Sequence, residues 1–266
     1  MGEVFKMWKE TKMVVLVALC AALYAALLIP FKAFVLIPGI TEISPASVLP
    51  VVLGILFGPA GAWGAAIGNL IGDFFGSLGI GSIFGFLGNF AFAYVPYKIW
   101  MNLGLVAKNN NEPDLKSGRK ILAYIVAAFL GAGACALIIG WGLDMLNMVP
   151  FAALAGIIAV NNIIPSVILG IPLLLILYPR IKKWDLLWTD IMAEEDIPAT
   201  GTRQRIGSLI MTLSILIGLF GGFIAATSAG QALLYAGFTA GGAGAASVAV
   251  IGGAGCCGLI ISSALQ

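Results

Sequence analysis

Asp73 and Asn69 are the residues best placed to do chemistry in this chain. They stand four residues apart, on one stripe with Ala65 and Ser77, so a helix puts them on one face. The segment around them, 64–88, carries no other charge. A carboxylate inside an apolar span is expensive and by default marks a ligand, ion or proton site. The plainer alternative is that Asn69 and Asp73 bond only a neighbouring helix. One residue round the cylinder, Gly64, Gly68, Gly72 and Gly76 form a ridge without side chains, which lets a second helix approach closely.

The elements that must hold these groups are membrane helices. The chain has 266 residues, of which 61% are hydrophobic and only 10% charged, with a mean hydropathy of +1.06. Such values belong to polytopic membrane proteins. Lipid leaves only helical bundles and closed barrels, and the apolar runs here are long and do not alternate, so they read as helices. Eight spans are expected, at 13–29, 48–57, 62–75, 82–100, 121–143, 149–178, 206–227 and 233–261. The second is short enough either to cross or to re-enter. The sixth is interrupted at Asn161, Asn162 and Pro165, where a proline frees backbone carbonyls and bends a helix. The charged lead-in 1–12 and the long first apolar run read as a cytoplasmic start rather than a signal peptide.

Several chemistries are excluded. There is no histidine, which removes histidine proton relays, histidine metal sites and His-dependent nucleophilic catalysis. The four cysteines lie in apolar runs without a C-x-x-C pair, so neither a zinc site nor a disulfide framework is indicated. No phosphate-loop motif is present. The G-x-G-x-x-G match at 253–258 lies in an apolar run with no strand before it and is assigned to helix packing. No catalytic residue, cofactor, metal or nucleic-acid partner is expected; the bilayer is.

Charge then orients the bundle. With the N-terminus inside, every Lys and Arg except Lys32 falls on the cytoplasmic side, Lys108 included, as the positive-inside rule requires. Most acids also fall there and read as solvated. Glu42, Asp73 and Asp144 lie on or towards the outer side with Lys32. Asn89 and Asn161 sit two to three turns below their outer ends, and Trp141 lies beside Asp144. These residues could line an outward-facing pocket roofed by the loop 31–47. Lys32 and Glu42 could equally form an ordinary loop ion pair, and Trp141 could simply anchor its helix at the interface.

On the first span Ala18, Ala22 and Ala26 repeat every four residues, and the run TEISPASVLPVVLGILFGPAGAWGAAIGNLIGDFFGSLGIGSIFGFLGNFAFAYVPYKIW fills 41–100. With these features the chain resembles the substrate-binding S components of energy-coupling factor (ECF) transporters over about 13–179. That resemblance implies a six-helix bundle capturing a vitamin-like polar molecule from outside. It also implies docking on a transmembrane T component, driven by two cytoplasmic ATPases, through Ala18, Ala22 and Ala26. The full expectation is an all-α polytopic protein of the plasma membrane: a bundle at 1–179, a charged linker at 180–205, and a C-terminal two-helix transmembrane hairpin at 206–266. The hairpin has no place in the resemblance. The substrate-binding residues are then Lys32, Glu42, Asn69, Asp73, Asn89, Trp141, Asp144 and Asn161, with Gly64 to Gly76 setting helix distance. The competing reading is a self-sufficient ion-coupled transporter or channel using Asp73, which would predict paired inverted repeats.

Overall fold

The computed structural model describes residues 2–37, 41–42, 44–106, 111–198, 200–231 and 243–266. The side chain of Glu42, Lys108 and the opening of the eighth expected span, 233–242, lie outside the described residues. What is described is all-α apart from one two-stranded pairing. After a one-turn helix α1 (Glu3–Lys6), the first long helix is α2 (Thr11–Leu28), followed by α3 (Val48–Phe57), α4 (Pro59–Asp73), α5 (Gly81–Asn102) and α6 (Gly118–Met145). Five apolar stretches among the described residues are long enough to cross a membrane: Thr11–Ala33, Gly118–Met145, Phe151–Ile168, Thr202–Ser228 and Ala246–Leu265.

α5 is the centre of the bundle and packs on α3, α4 and α6. α3 is about 15 Å long at 1.5 Å per residue, too short to cross, and all of its residues are buried. Protein on every side supplies the partners that lipid would withhold. The chain reverses between α3 and α4 at Gly58, whose φ of +52° and ψ of −121° suit only glycine. Pro59 then starts α4 at a position where its missing N–H is harmless.

The glycine ridge faces α2. A Cβ on Gly64 would collide with Cys20. One on Gly68 would stand 2.8 Å from the Ala21 carbonyl, and one on Gly72 would press on Leu28 at 3.3 Å. Gly76, past the helix, faces the Lys32 side chain at 3.9 Å. The segment expected as a loop, 31–47, has structure of its own. A 3-10 turn, Ile29–Ala33, leads to β1 (Val35–Ile37), which pairs antiparallel with β2 (Thr41–Glu42). A second 3-10 turn, Pro45–Ser47, enters α3.

The sixth expected span is two helices, α7 (Phe151–Ile168) and α8 (Gly170–Lys183). The break lies at Leu169, beyond the asparagines. The Ser166 carbonyl, which Gly170 N–H would face in an unbroken helix, accepts the Tyr124 hydroxyl at 2.9 Å. Pro172 adds a position that donates no hydrogen bond. The charged linker contains a single helical turn, α9 (Trp188–Ile191).

α10 (Thr202–Leu216) continues through a π turn, Ile217–Gly221, into α11 (Gly222–Ser228). The described end of the chain is α12 (Ala246–Leu265). α10 and α12 pack on each other and on α6. Gly218 and Gly255 meet almost backbone to backbone there: a Cβ on either would stand within 3.0 Å of the other's Cα.

One charge assignment changes. Glu3 is not solvated but buried in a salt bridge with Lys98, which is itself enclosed. The Tyr97 hydroxyl donates to Glu3 at 3.1 Å, and Lys98 Nζ lies over the Tyr94 and Tyr97 rings at 5.6 and 5.4 Å. A lysine in an apolar helix is tolerated when its charge is paired and ringed by aromatic faces.

Candidate functional site

Two residues of α4 begin the site. Asn69 and Asp73 lie one turn apart, and Ser77 follows one turn beyond the helix end. Asp73 Oδ1 accepts the Ser77 hydroxyl at 3.0 Å and pairs with Lys32 Nζ at 3.2 Å, while Lys32 also donates to Ser77 Oγ at 2.7 Å. Asp73 Oδ2 accepts the Asn69 amide at 3.3 Å. The Lys32 and Asp73 side chains are each 9% exposed. Burying either charge alone would be prohibitive; together, with hydroxyl and amide partners, they are supportable. The 3-10 turn after α2 is what carries Lys32 over the end of α4.

α5 supplies the next wall. Asn89 accepts the Tyr24 hydroxyl at 2.8 Å and donates to the Gly85 carbonyl, its own i−4 neighbour, at 2.9 Å. Gly85 keeps the wall thin, since a Cβ there would stand 3.0 Å from the Asn69 amide nitrogen. α7 supplies the third wall, where the adjacent residues Asn161 and Asn162 both hold the segment entering α3. Asn161 Oδ1 accepts the Ser44 backbone N–H at 3.2 Å, and Asn162 Oδ1 accepts the Ser47 hydroxyl at 2.8 Å. The Ser166 hydroxyl, one turn on, donates to the Ser47 carbonyl at 2.9 Å.

These groups enclose a cavity of about 130 Å³. Of the residues expected from sequence, Lys32, Asn69, Asp73, Asn89 and Asn161 line it together, although they come from separate elements along the chain. The cavity lies beneath the 29–47 segment, which contributes Thr41, Ser44 and Ser47. Its charged lining among the described residues is one lysine against one aspartate, with four asparagines around them. Each asparagine offers both a donor and an acceptor. Such a lining suits a compact polar solute with hydrogen-bonding groups on several edges.

Two expected residues stand apart from the cavity. Asp144 is completely buried in the last turn of α6, where Oδ1 accepts the N–H of Phe151, the first residue of α7, at 2.9 Å and the Gln231 amide at 2.7 Å. Its Oδ2 accepts the Gly244 N–H at 3.2 Å. Gln231 in turn accepts the Ala152 N–H at 3.1 Å. Trp141 donates to the Ala249 carbonyl at 3.0 Å and packs over Gly252 and Gly253. Both residues fasten the C-terminal segment to the bundle. The side chain of Glu42 lies outside the described residues.

Ala18, Ala22 and Ala26 are exposed on α2, together with Leu19, Leu23 and Leu27. They lie on the side opposite Cys20, Ala21 and Tyr24, which face α4. Sequence reading left Tyr24, Ser44, Ser47, Ser82, Gly85 and Asn162 out of the site. Tyr24 reads as a packing residue, and serines in a turn-rich segment carry no periodic signal; only Asn162, beside Asn161, could have been included.

No curated protein and no solved structure matches the chain. The family described as QueT transporter matches residues 14–179. That range is more than half of the chain, takes in every element that lines the cavity, and stops before α10 and α12. The protein is a multi-pass membrane protein, and the chain belongs to the QueT transporter family, in keeping with its resemblance to S components.

Proposed function

We propose that the chain is the solute-capturing subunit of an ECF-type importer, and that the cavity beneath the 29–47 segment is where the solute binds. The observation that carries this reading is the convergence of Lys32, Asn69, Asp73, Asn89 and Asn161 on one cavity of a membrane bundle. The basic residues support an N-terminus in the cytoplasm, with the capped end facing out. The solute is a small polar heterocycle whose ring edges present donors and acceptors to the asparagines. A queuosine precursor is the first candidate. The exposed face of Ala18, Ala22 and Ala26 supports docking of a T component there, with two cytoplasmic ATPases supplying the energy.

The Lys32–Asp73 pair weighs against an ion-coupled mechanism, because the ammonium already occupies the carboxylate a coupling ion would use. Native mass spectrometry of the detergent-purified chain, expressed alone, is the test. A retained heterocycle of defined mass, lost in Asp73→Asn, supports capture in this cavity. A solute-free protein that also fails to bind an added queuosine precursor would reject it.

A further inference from the structure

We propose that the Ser44 hydroxyl is a direct contact to the bound solute, so that the solute itself fastens the cap segment to the bundle. This rests on the cavity being the solute site. Three buried hydroxyls have no hydrogen-bond partner among the described residues: Ser44, Tyr94 and Ser208. Of these, only Ser44 borders the cavity. A buried hydroxyl left unpaired is costly, so a native chain keeps one where something else completes it.

The local backbone leaves this hydroxyl unpaired. Ser44 occupies the N-cap position of the turn Pro45–Ser47, yet its side chain makes no capping bond. Serine at such a position ordinarily accepts from the N–H of the second or third residue of the turn, but the Ser47 N–H goes to the Ser44 carbonyl instead and no capping bond forms. The backbone of Ser44 is already committed: its N–H donates to Asn161 Oδ1, and its carbonyl accepts the Ser47 N–H at 3.1 Å. The hydroxyl is therefore the one polar group of Ser44 that is unused, and the residue is 5% exposed at the edge of a polar space. A solute atom in that space pairs with it as donor or acceptor. Because Ser44 belongs to the cap and Asn161 to α7, a solute touching Ser44 adds a bond across the same seam that Asn161 already bridges.

The experiment is calorimetric titration of the full chain in detergent with a queuosine precursor, alongside thermal melts of the solute-free protein. Ser44→Ala should weaken binding about tenfold, the loss of one well-made hydrogen bond. It should leave the melting midpoint of the solute-free protein unchanged or raise it, because it deletes a group without a partner. A fall in that midpoint would show that the hydroxyl is already paired and would overturn the inference. Unchanged affinity in Ser44→Ala, with weakened affinity in Asp73→Asn, would overturn it while leaving the cavity as the site. Unchanged affinity in both variants, or no binding by the unmodified chain, would remove the site reading and this inference together.

Discussion

Asp73 shows how a single expensive group is made supportable. Lys32 pairs with it, Ser77 and Asn69 donate to it, and the cavity beside it carries no excess charge. Asn89→Ala should weaken solute binding about tenfold, on the same hydrogen-bond argument, as equilibrium binding would measure. Glu3 gives a pH prediction. Burial pushes its carboxyl up, but the Lys98 ammonium and their hydrogen bond prevail and hold it below its ordinary 4.5. A carboxyl lowered in the folded state stabilises the protein above its unfolded value, and that stabilisation is lost as pH falls through the folded value. The thermal midpoint should therefore drop as the pH is taken below about 4.5. Glu3→Gln should lower the midpoint at neutral pH and flatten this acid limb. An acid limb unchanged in the variant would show that other carboxylates produce it.

At the scale of elements, the close approach of α2 to α4 decides whether the site exists. It brings Tyr24 to Asn89 and carries Lys32 over Asp73. Gly68→Leu would drive a branched side chain into the Ala21 backbone and Tyr24, and overpacking against backbone costs on the order of 1–3 kcal/mol or more. The melting midpoint should fall and solute binding with it. Gly118→Ala, where an added Cβ meets nothing within 4 Å, should change neither. The opposite face of α2 obeys different physics, because Ala18, Ala22 and Ala26 are exposed there. Ala22→Leu should leave solute binding by the isolated chain intact. If a T component docks on this face, as proposed, uptake in vesicles that contain it and its ATPases should fall, because the leucine would hold the docked helix away. Loss of both together would place Ala22 in the fold instead.

The whole molecule joins a family-matched bundle to a helical addition, and Asp144 is the joint. Its two oxygens hold the start of α7, Gln231 and Gly244 at once. Asp144→Ala would take a buried acceptor away from the Phe151 N–H and the Gln231 amide. A loss of about 3 kcal/mol in stability is expected, read as a lower melting midpoint. Solute affinity of the folded fraction should be little changed, because Asp144 does not line the cavity. A large loss of affinity at unchanged stability would return Asp144 to the binding site.

Much of this protein is legible in its sequence. Hydropathy alone requires membrane helices, because lipid tolerates no unpaired backbone. A four-residue period places Asn69 with Asp73 and lines up the glycines that α2 packs against, because helical geometry is local. The rarity of charge in apolar segments singles out Lys32, Asp73 and Asp144, but rarity has no direction. Asp73 faces the cavity and Asp144 faces the C-terminal segment, and only the folded arrangement separates them. Glu3 reads as a solvated lead-in residue until Lys98, far along the chain, is brought against it. The role of Ser44 is equally invisible beforehand. A serine before a proline is ordinary in any turn, and its unpaired hydroxyl has meaning only once α7 and the cap close around a polar space. Local periodicity is encoded residue by residue; which polar group meets which depends on contacts between distant segments, and those exist only after the helices have packed.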